Sequence, residues 1–288
     1  MFNYKGKTAL ITGASSGIGE AFADILAARG MNLVLVARSI DKLYELAEEL
    51  SEQYSIRARV IPADLSREGA AQEVYQRTQE LGVTVDLLVN NAGFATLGGF
   101  DTLNPEREHE EIMLNVTTLV DLTHAFVPAM LERKDGAVIN VSSIAAFQPM
   151  PYEAVYGASK AFVLSFSLAL WAEYRKRGVR IVALCPGPTE TNFFKNLGTD
   201  NVPMLTKMHT PEVVVMTALH ALEQGKPYAV DGRSNAFGVQ VTHMAPLALT
   251  TRVFARVMRS HKQKKMTVGK RVRIAGQTSH IARDSKAG

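Results

Sequence analysis

Tyr156-Gly157-Ala158-Ser159-Lys160 places a phenol and an ammonium four residues apart inside an apolar-periodic run. At 3.6 residues per helical turn, a four-residue step returns to within about 40° of its start, so both side chains can reach one pocket. A free phenol titrates near pH ~10 and exchanges its proton poorly at neutrality, whereas an adjacent cation favours the phenolate. The pair is expected to serve as a general acid/base, with Lys160 lowering the pKa of Tyr156. Ser142 and Ser143, thirteen to fourteen residues upstream, close an apolar run, and a hydroxyl there could polarise a carbonyl. Strand alternation sends the two to opposite sides, so one of them faces the pocket.

Tyr-x-x-x-Lys alone also describes two polar residues on a surface helix, and the elements around it carry the weight. Apolar runs at Thr8 to Thr12, Asn32 to Ala37, Arg57 to Pro62, Val85 to Asn90, Ala137 to Ser143, Val179 to Cys185 and Tyr228 to Asp231 read as strands. Between them lie helical patterns at 17–29, 39–54, 66–82, 105–133, 152–177 and 210–224. Continuous apolar strands alternating with helices argue an α/β fold: a single doubly wound parallel sheet, Rossmann-type, of about seven strands, covered on both faces. At 288 residues and 47% hydrophobic composition the chain can bury a core of that size. The residues that stand out then fall just past strand ends, where such a sheet binds ligands. Gly13-Ala14-Ser15-Ser16-Gly17-Ile18-Gly19 follows the first strand and opens the first helix, so its backbone can turn sharply and offer amides to a phosphate. Its spacing is G-x-x-x-G-x-G rather than G-x-G-x-x-G. Asp64-Leu65, Asn91-Ala92-Gly93 and Pro186-Gly187-Pro188-Thr189 follow later strands. Asp64 serves equally well as the N-cap of the next helix.

Thr12-Gly13-x-x-x-Gly17-Ile18-Gly19, Asn90-Asn91-Ala92-Gly93, Asn115, Ser143, Tyr156-x-x-x-Lys160 and Pro186-Gly187, in this order, make residues 6–231 resemble the short-chain dehydrogenase/reductase family. The resemblance implies a nicotinamide-dependent oxidoreductase with Asn115, Ser143, Tyr156 and Lys160 as its catalytic set. It selects Ser143 over Ser142 as the group that polarises the substrate carbonyl. Lys160 would also hydrogen-bond the nicotinamide ribose, and Asn115 would hold a water linking Lys160 to solvent. Asp64 and Leu65 would flank the adenine, Asn91, Ala92 and Gly93 would pack on the adenosine side, and Pro186, Gly187 and Thr189 would lie under the nicotinamide.

An NAD enzyme carries an acid about twenty residues past the glycine motif, whereas an arginine there meets a 2′-phosphate. Here Ala37 stands where the acid is expected and Arg38 follows, so NADP(H) is the expected cofactor, with Ser15 as a second contact. Phe147, Pro149, Met150, Pro151, Phe193, Phe194 and Met204 make the substrate loops apolar, which favours a hydrophobic ketone, such as a ketoacyl or steroid-like one, over a sugar. The expected activity is NADPH-dependent carbonyl reduction or the reverse alcohol oxidation. A catalytically silent NADP(H)-binding regulator and a nucleic-acid or membrane-surface binder acting through the tail are the alternatives.

Of the 32 Lys and Arg and 28 Asp and Glu, eleven and one lie between Ala245 and Gly288, leaving 21 basic and 27 acidic residues before them. The sequence divides accordingly into a dinucleotide-binding and catalytic domain, 1–244, an amphipathic helix, 245–260, and a basic tail, 261–288. Leu247, Leu249, Val253, Phe254, Val257 and Met258 recur at helical spacing beside Arg252, Arg256 and Arg259. Such a helix could close the substrate side, or 245–265 could touch a membrane surface or an acidic partner. Nucleic acid is not the expected partner. The start of the chain lacks an apolar stretch and no run of eighteen uncharged apolar residues occurs, so a cytoplasmic protein is expected. A homodimer or homotetramer is expected from the resemblance. Cys185, the single cysteine, reads as a buried strand residue. His109, His124, His209, His220, His243, His261 and His280 show no metal-ligand spacing and are assigned to surface or core; Trp171 reads as packing or a subunit interface.

Overall fold

The computed structural model describes residues 2–193, 208–244 and 246–258. Seven strands, β1 (Thr8–Thr12), β2 (Asn32–Ala37), β3 (Ala58–Pro62), β4 (Leu87–Asn90), β5 (Gly136–Val141), β6 (Val179–Cys185) and β7 (Tyr228–Val230), form one parallel sheet in the order β3-β2-β1-β4-β5-β6-β7. Strand order reverses between β1 and β4, which opens a crevice at the carboxyl ends of these two strands. Helices α1 (Gly17–Ala28), α2 (Ile40–Tyr54) and α7 (Pro211–Glu223) cover one face. Helices α3 (Ala70–Glu80), α5 (Thr118–Arg133) and α6 (Ala154–Tyr174) cover the other.

Each central strand feeds both cores by alternation. Ile11, Leu33 and Leu35 point towards α1 and α2, while Leu10, Val34 and Val36 point into the opposite cluster with Leu122 and Phe126 of α5. Burying each such side chain contributes about 1.5–3 kcal/mol, which explains why these strands read as unbroken apolar runs. Helices Pro105–Arg133 and Ala154–Tyr174 are long and apolar enough to cross a membrane by length and composition, yet Leu119, Leu122, Val163 and Leu164 are buried in the body of the fold.

The segment expected as one helix over 105–133 is α4 (Pro105–Ile112), a π-turn (Met113–Thr117) and α5. Asn104 caps it by accepting from the Glu106 N–H at 2.9 Å. Strand β5 stops at Val141, leaving Ser142 and Ser143 just beyond it. Helix α3 begins at Ala70 and not near Asp64, because Gly69 with φ +78° breaks the helical path. Two C-terminal helices follow the sheet: α8 (Arg233–Met244), which the pattern does not announce, and α9 over 247–258.

Candidate active site

Helix α6 delivers Tyr156 and Lys160 to the carboxyl ends of β4 and β5. Lys160 is buried and donates from Nζ to the Val141 carbonyl at 2.9 Å. Its Nζ lies 5.7 Å from the Tyr156 ring centroid, and Phe193 leans against that ring with centroids 5.8 Å apart. The two serines separate as alternation requires. Ser142 donates to the Lys160 carbonyl at 2.7 Å and so anchors α6, whereas Ser143 faces Tyr156 and accepts from the Ala145 N–H at 3.1 Å, which leaves its own proton to donate. Asn115 occupies the π-turn and is buried. Its Nδ2 donates to the Phe94 carbonyl at 2.9 Å and to Ser159 Oγ at 3.2 Å, and its Oδ1 accepts from the Phe94 N–H at 3.2 Å. These bonds stitch the loop after β4 to α6. Both Nδ2 donors are spent on protein, so holding a water is not a task of these amide hydrogens. A Cβ on Gly93 would fall 2.8 Å from Asn115 Oδ1 and 3.4 Å from Lys160 Nζ, so the missing side chain leaves room for both groups.

The electrostatics depart from the expectation that Lys160 lowers the phenol's pKa. Burial raises the Tyr156 phenol well above its ordinary value; the Ser143 hydroxyl opposes the rise and the Glu153 and Glu111 carboxylates add to it. Burial lowers Lys160 to about 8, with the Glu111 charge pulling the other way. Desolvation is the largest cause for both groups. Glu111 and Glu153 each stand about one helical turn before a member of the catalytic set, Asn115 and Tyr156. Burial lifts each carboxyl to about 7. Thr96 donates to Glu111 Oε2 at 2.7 Å, and Oε1 meets no protein partner among the described residues.

Raised above 4.5, the Glu111 carboxyl contributes stability that is fully present below that pH and is lost as pH climbs through about 7. A rise from 4.5 to about 7 corresponds to about 3 kcal/mol. Glu111→Gln keeps the Thr96 hydrogen bond without the charge. It is expected to be more stable than the parent, relative to any difference at about pH 5, by up to about 3 kcal/mol at about pH 8.5. Thermal or urea unfolding at both pH values checks this, and an unchanged difference between the two proteins would refute it.

On the cofactor side, Gly13 and Gly17 adopt φ +66° and +60°, and a Cβ on Gly19 would fall 2.2 Å from the Gly13 carbonyl. Asn91 Nδ2 donates to the Thr12 carbonyl at 2.9 Å, and Thr12 Oγ1 accepts from the Asn91 and Ala92 amides at 2.9 and 3.0 Å. These bonds fix the loop between β1 and α1. Ser16 sits at the N-cap of α1, beside partly exposed Ser15 and Ile18, and the first-turn amides have no side-chain cap from Ser16. The residues fit a bound pyrophosphate. Arg38 is exposed just past β2. Hydrogen bonds from Ser66, with the Arg38 and Arg67 charges behind them, hold Asp64 below the usual carboxylate range. Asp64 accepts from the Ser66 amide and hydroxyl at 3.1 and 2.7 Å, a local turn and not the cap of α3. Leu65 is buried, and its carbonyl accepts from Thr118 Oγ1 at 2.7 Å. Past β6, Thr189 is buried and donates to the Gly187 carbonyl at 3.0 Å, and the Pro186 carbonyl accepts from the Ile144 amide at 3.0 Å. Burial pushes the Cys185 thiol up to about 12, which excludes a thiolate nucleophile at neutral pH.

A cavity of about 260 Å³ lies between Gly98, Leu103, Glu108, Pro151 and Tyr152, and Ala255 of α9, and Ser143, Tyr156 and Lys160 are not in its lining. Tyr152 holds φ +71°, a left-handed conformation, and its carbonyl accepts from the Gly98 amide at 2.9 Å. Helix α9 thus borders the substrate loop with Met258 buried, but Leu247, Leu249 and Val253 of the expected apolar face are more than half exposed. Phe194, Met204 and the tail beyond 258 lie outside the described residues. Sequence reasoning misses Glu111 and Glu153, whose only signal is an acid three or four places before a catalytic position. It assigns His209 to surface or core without finding its pairing with Asp231 beside Pro186 to Thr189. Trp171 packs on the core and donates from Nε1 to the Gly225 carbonyl at 2.9 Å.

Residues 7–202 match the family model described as short chain dehydrogenase. The chain is 36% identical to the oxidoreductase UcpA of Salmonella typhimurium over 199 residues, 69% of this chain and 75% of that protein. It is 35% identical to the very-long-chain 3-oxoacyl-CoA reductase of Anas platyrhynchos over 220 residues, 74% of this chain and 68% of that one. A short-chain dehydrogenase from Sphingobium yanoikuyae, solved in complex with NADPH, superposes with a TM-score of 0.73 at 35% identity, covering 78% of this chain and 87% of that chain.

Proposed function

Because the chain belongs to the short-chain dehydrogenase/reductase family, an oxidoreductase family acting on alcohol and carbonyl groups, we propose that it is an NADPH-dependent reductase of a hydrophobic ketone. The observation that carries this reading is the convergence of Ser143, Tyr156 and Lys160 at the carboxyl end of β5. NADPH, when bound, supplies the hydride. Ser143 donates a hydrogen bond to the carbonyl oxygen and stabilises the charge that develops there. Tyr156 delivers its proton to the same oxygen, so ketone, the hydride at carbon and this proton at oxygen together make the alcohol. Lys160, tied to the Val141 carbonyl, retains two ammonium protons for the nicotinamide ribose and for charge balance at the phenolate. The exposed guanidinium of Arg38 and the lack of an acid at Ala37 favour the 2′-phosphate of NADPH. The long-acyl ketone named for the Anas platyrhynchos relative and the NADPH of the Sphingobium yanoikuyae structure lean the same way. A panel of 3-oxoacyl thioesters, steroid ketones and sugar ketones, followed by NADPH absorbance, tests the reading. Turnover confined to sugars, or none with any carbonyl, overturns it.

The protein is read as cytoplasmic and as a homodimer or homotetramer, which sedimentation tests. Its α9 presents Leu249, Arg252, Val253 and Arg256, all exposed and spaced i, i+3, i+4 and i+7, a stripe suited to an anionic lipid surface. The full chain is expected to sediment with anionic vesicles at low salt and to release at high salt. A chain ending at His261 is expected to bind more weakly, having lost eight basic residues and one acid. Equal retention of the two on anionic and neutral vesicles removes this contact.

A further inference from the structure

Asp231 follows β7 and is fully buried. A carboxylate is retained in such a place when both oxygens are partnered. One oxygen accepts from the Gly187 N–H, and the other meets His209 Nδ1 at 2.5 Å. The Asp231 carbonyl accepts from Asn235 Nδ2 at 2.8 Å, and that amide lies so close to Gly187 that a Cβ there would fall 2.1 Å from it. Gly232, with φ +76°, leaves room for the imidazole; a Cβ on it would fall 2.2 Å from His209 Cε1. His209 is also tied by its backbone, donating to the Pro188 carbonyl at 3.0 Å and accepting from the Glu190 N–H at 2.9 Å. One carboxylate therefore joins the loop after β6 to the strand of chain that enters α7.

We propose that the Asp231–His209 pair is a positioning clamp for coenzyme affinity, holding Pro186 to Thr189 in the form that receives the nicotinamide end. The inference rests on the NADPH reading and adds to it a pair of residues outside the catalytic set. A loop that populates its receptive form only part of the time weakens the apparent affinity by that fraction, so loosening the clamp raises the dissociation constant. Chemistry is affected less, because Ser143, Tyr156 and Lys160 stand on β5's end and on α6. Charge-assisted hydrogen bonds of this kind are worth roughly a tenfold change in a binding constant.

The test measures NADPH binding by fluorescence and amide hydrogen exchange at Gly187 and Glu190 in the full chain. His209→Phe keeps a ring without a donor and is expected to weaken NADPH about tenfold, to speed exchange at both amides, and to leave kcat at saturating NADPH within about threefold. His209→Gln, which can still donate to Asp231, is expected to recover most of the affinity, a rescue that mere space-filling does not give. Asp231→Leu is expected to be at least as weak as His209→Phe; if it fails to fold, the two His209 variants decide. NADPH affinity of His209→Phe within about twofold of the parent overturns the clamp, as does a His209→Gln variant no better than His209→Phe. If the parent chain binds no nicotinamide nucleotide, the NADPH reading fails, and exchange alone judges the clamp: unchanged protection in His209→Phe then sinks it.

Discussion

Tyr156→Phe is expected to lower kcat/KM for ketone reduction by about 10²–10⁴-fold while leaving NADPH affinity near that of the parent. Phenylalanine keeps the ring that Phe193 packs against and removes only the hydroxyl that Ser143 faces, so the loss isolates proton delivery. Burial holds the phenol protonated through the neutral range, which suits it to donate to a ketone; the reverse oxidation needs the phenolate and is expected to favour alkaline pH. Lys160→Ala is expected to damage both coenzyme affinity and rate, because the ammonium is buried with its Nζ at the Val141 carbonyl and cannot be replaced by solvent without a cavity. Steady-state kinetics paired with coenzyme fluorescence separates the two variants. A Tyr156→Phe enzyme that turned over like the parent would end the assignment.

The second large effect concerns the coenzyme. The parent is expected to prefer NADPH over NADH by about 10–100-fold in kcat/KM, the range of one or two charge-assisted contacts to a phosphate. Ala37→Asp with Arg38→Leu is expected to reverse that preference, because an acid at the end of β2 accepts from both ribose hydroxyls and repels a 2′-phosphate. Ala37 is buried at the carboxyl end of its strand, so the new carboxylate projects from a rigid element and not from a loop. Comparable kcat/KM values for the two coenzymes in the parent, or a double variant with unchanged preference, would defeat the argument.

Much of the sheet is legible in the sequence because both of its faces are covered: β1, β2, β5 and β6 bury every or nearly every residue and therefore read as plain apolar runs. Helix α8 is not legible for the opposite reason. It exposes Phe237 and Val241 and buries Asn235 with Val239, so its apolar residues do not mark the inward face. Helix α9 misleads in the same way, with Leu249 and Val253 outward. The convergence of Ser143, Tyr156 and Lys160 follows from strand ends and helical spacing. The sign of the Tyr156 shift does not, because it depends on how deeply the phenol is buried and on carboxylates at Glu111 and Glu153 that only the folded chain brings near. The tie between His209 and Asp231 spans 22 residues and crosses from a loop to a strand end, and no local pattern encodes it.

The π-turn at Asn115 acts as a phase slip in an otherwise continuous rod. One residue more than a regular turn is wound there, and each residue of an α-helix advances by about 100°. Before the slip, the inward face presents Glu108 and Glu111 to the catalytic side; after it, Leu119, Leu122 and Phe126 face the sheet. Shortening the rod by one residue at Met113 to Thr117 would rotate these two faces relative to each other by about 100° and force a choice between seating the acids and seating the core. The length of this stretch is therefore a mechanical constraint in its own right. Lineages of this protein can be expected to vary the outward side chains of α4 freely, and to lose catalysis or folding when a single residue is inserted or deleted between Glu111 and Leu119.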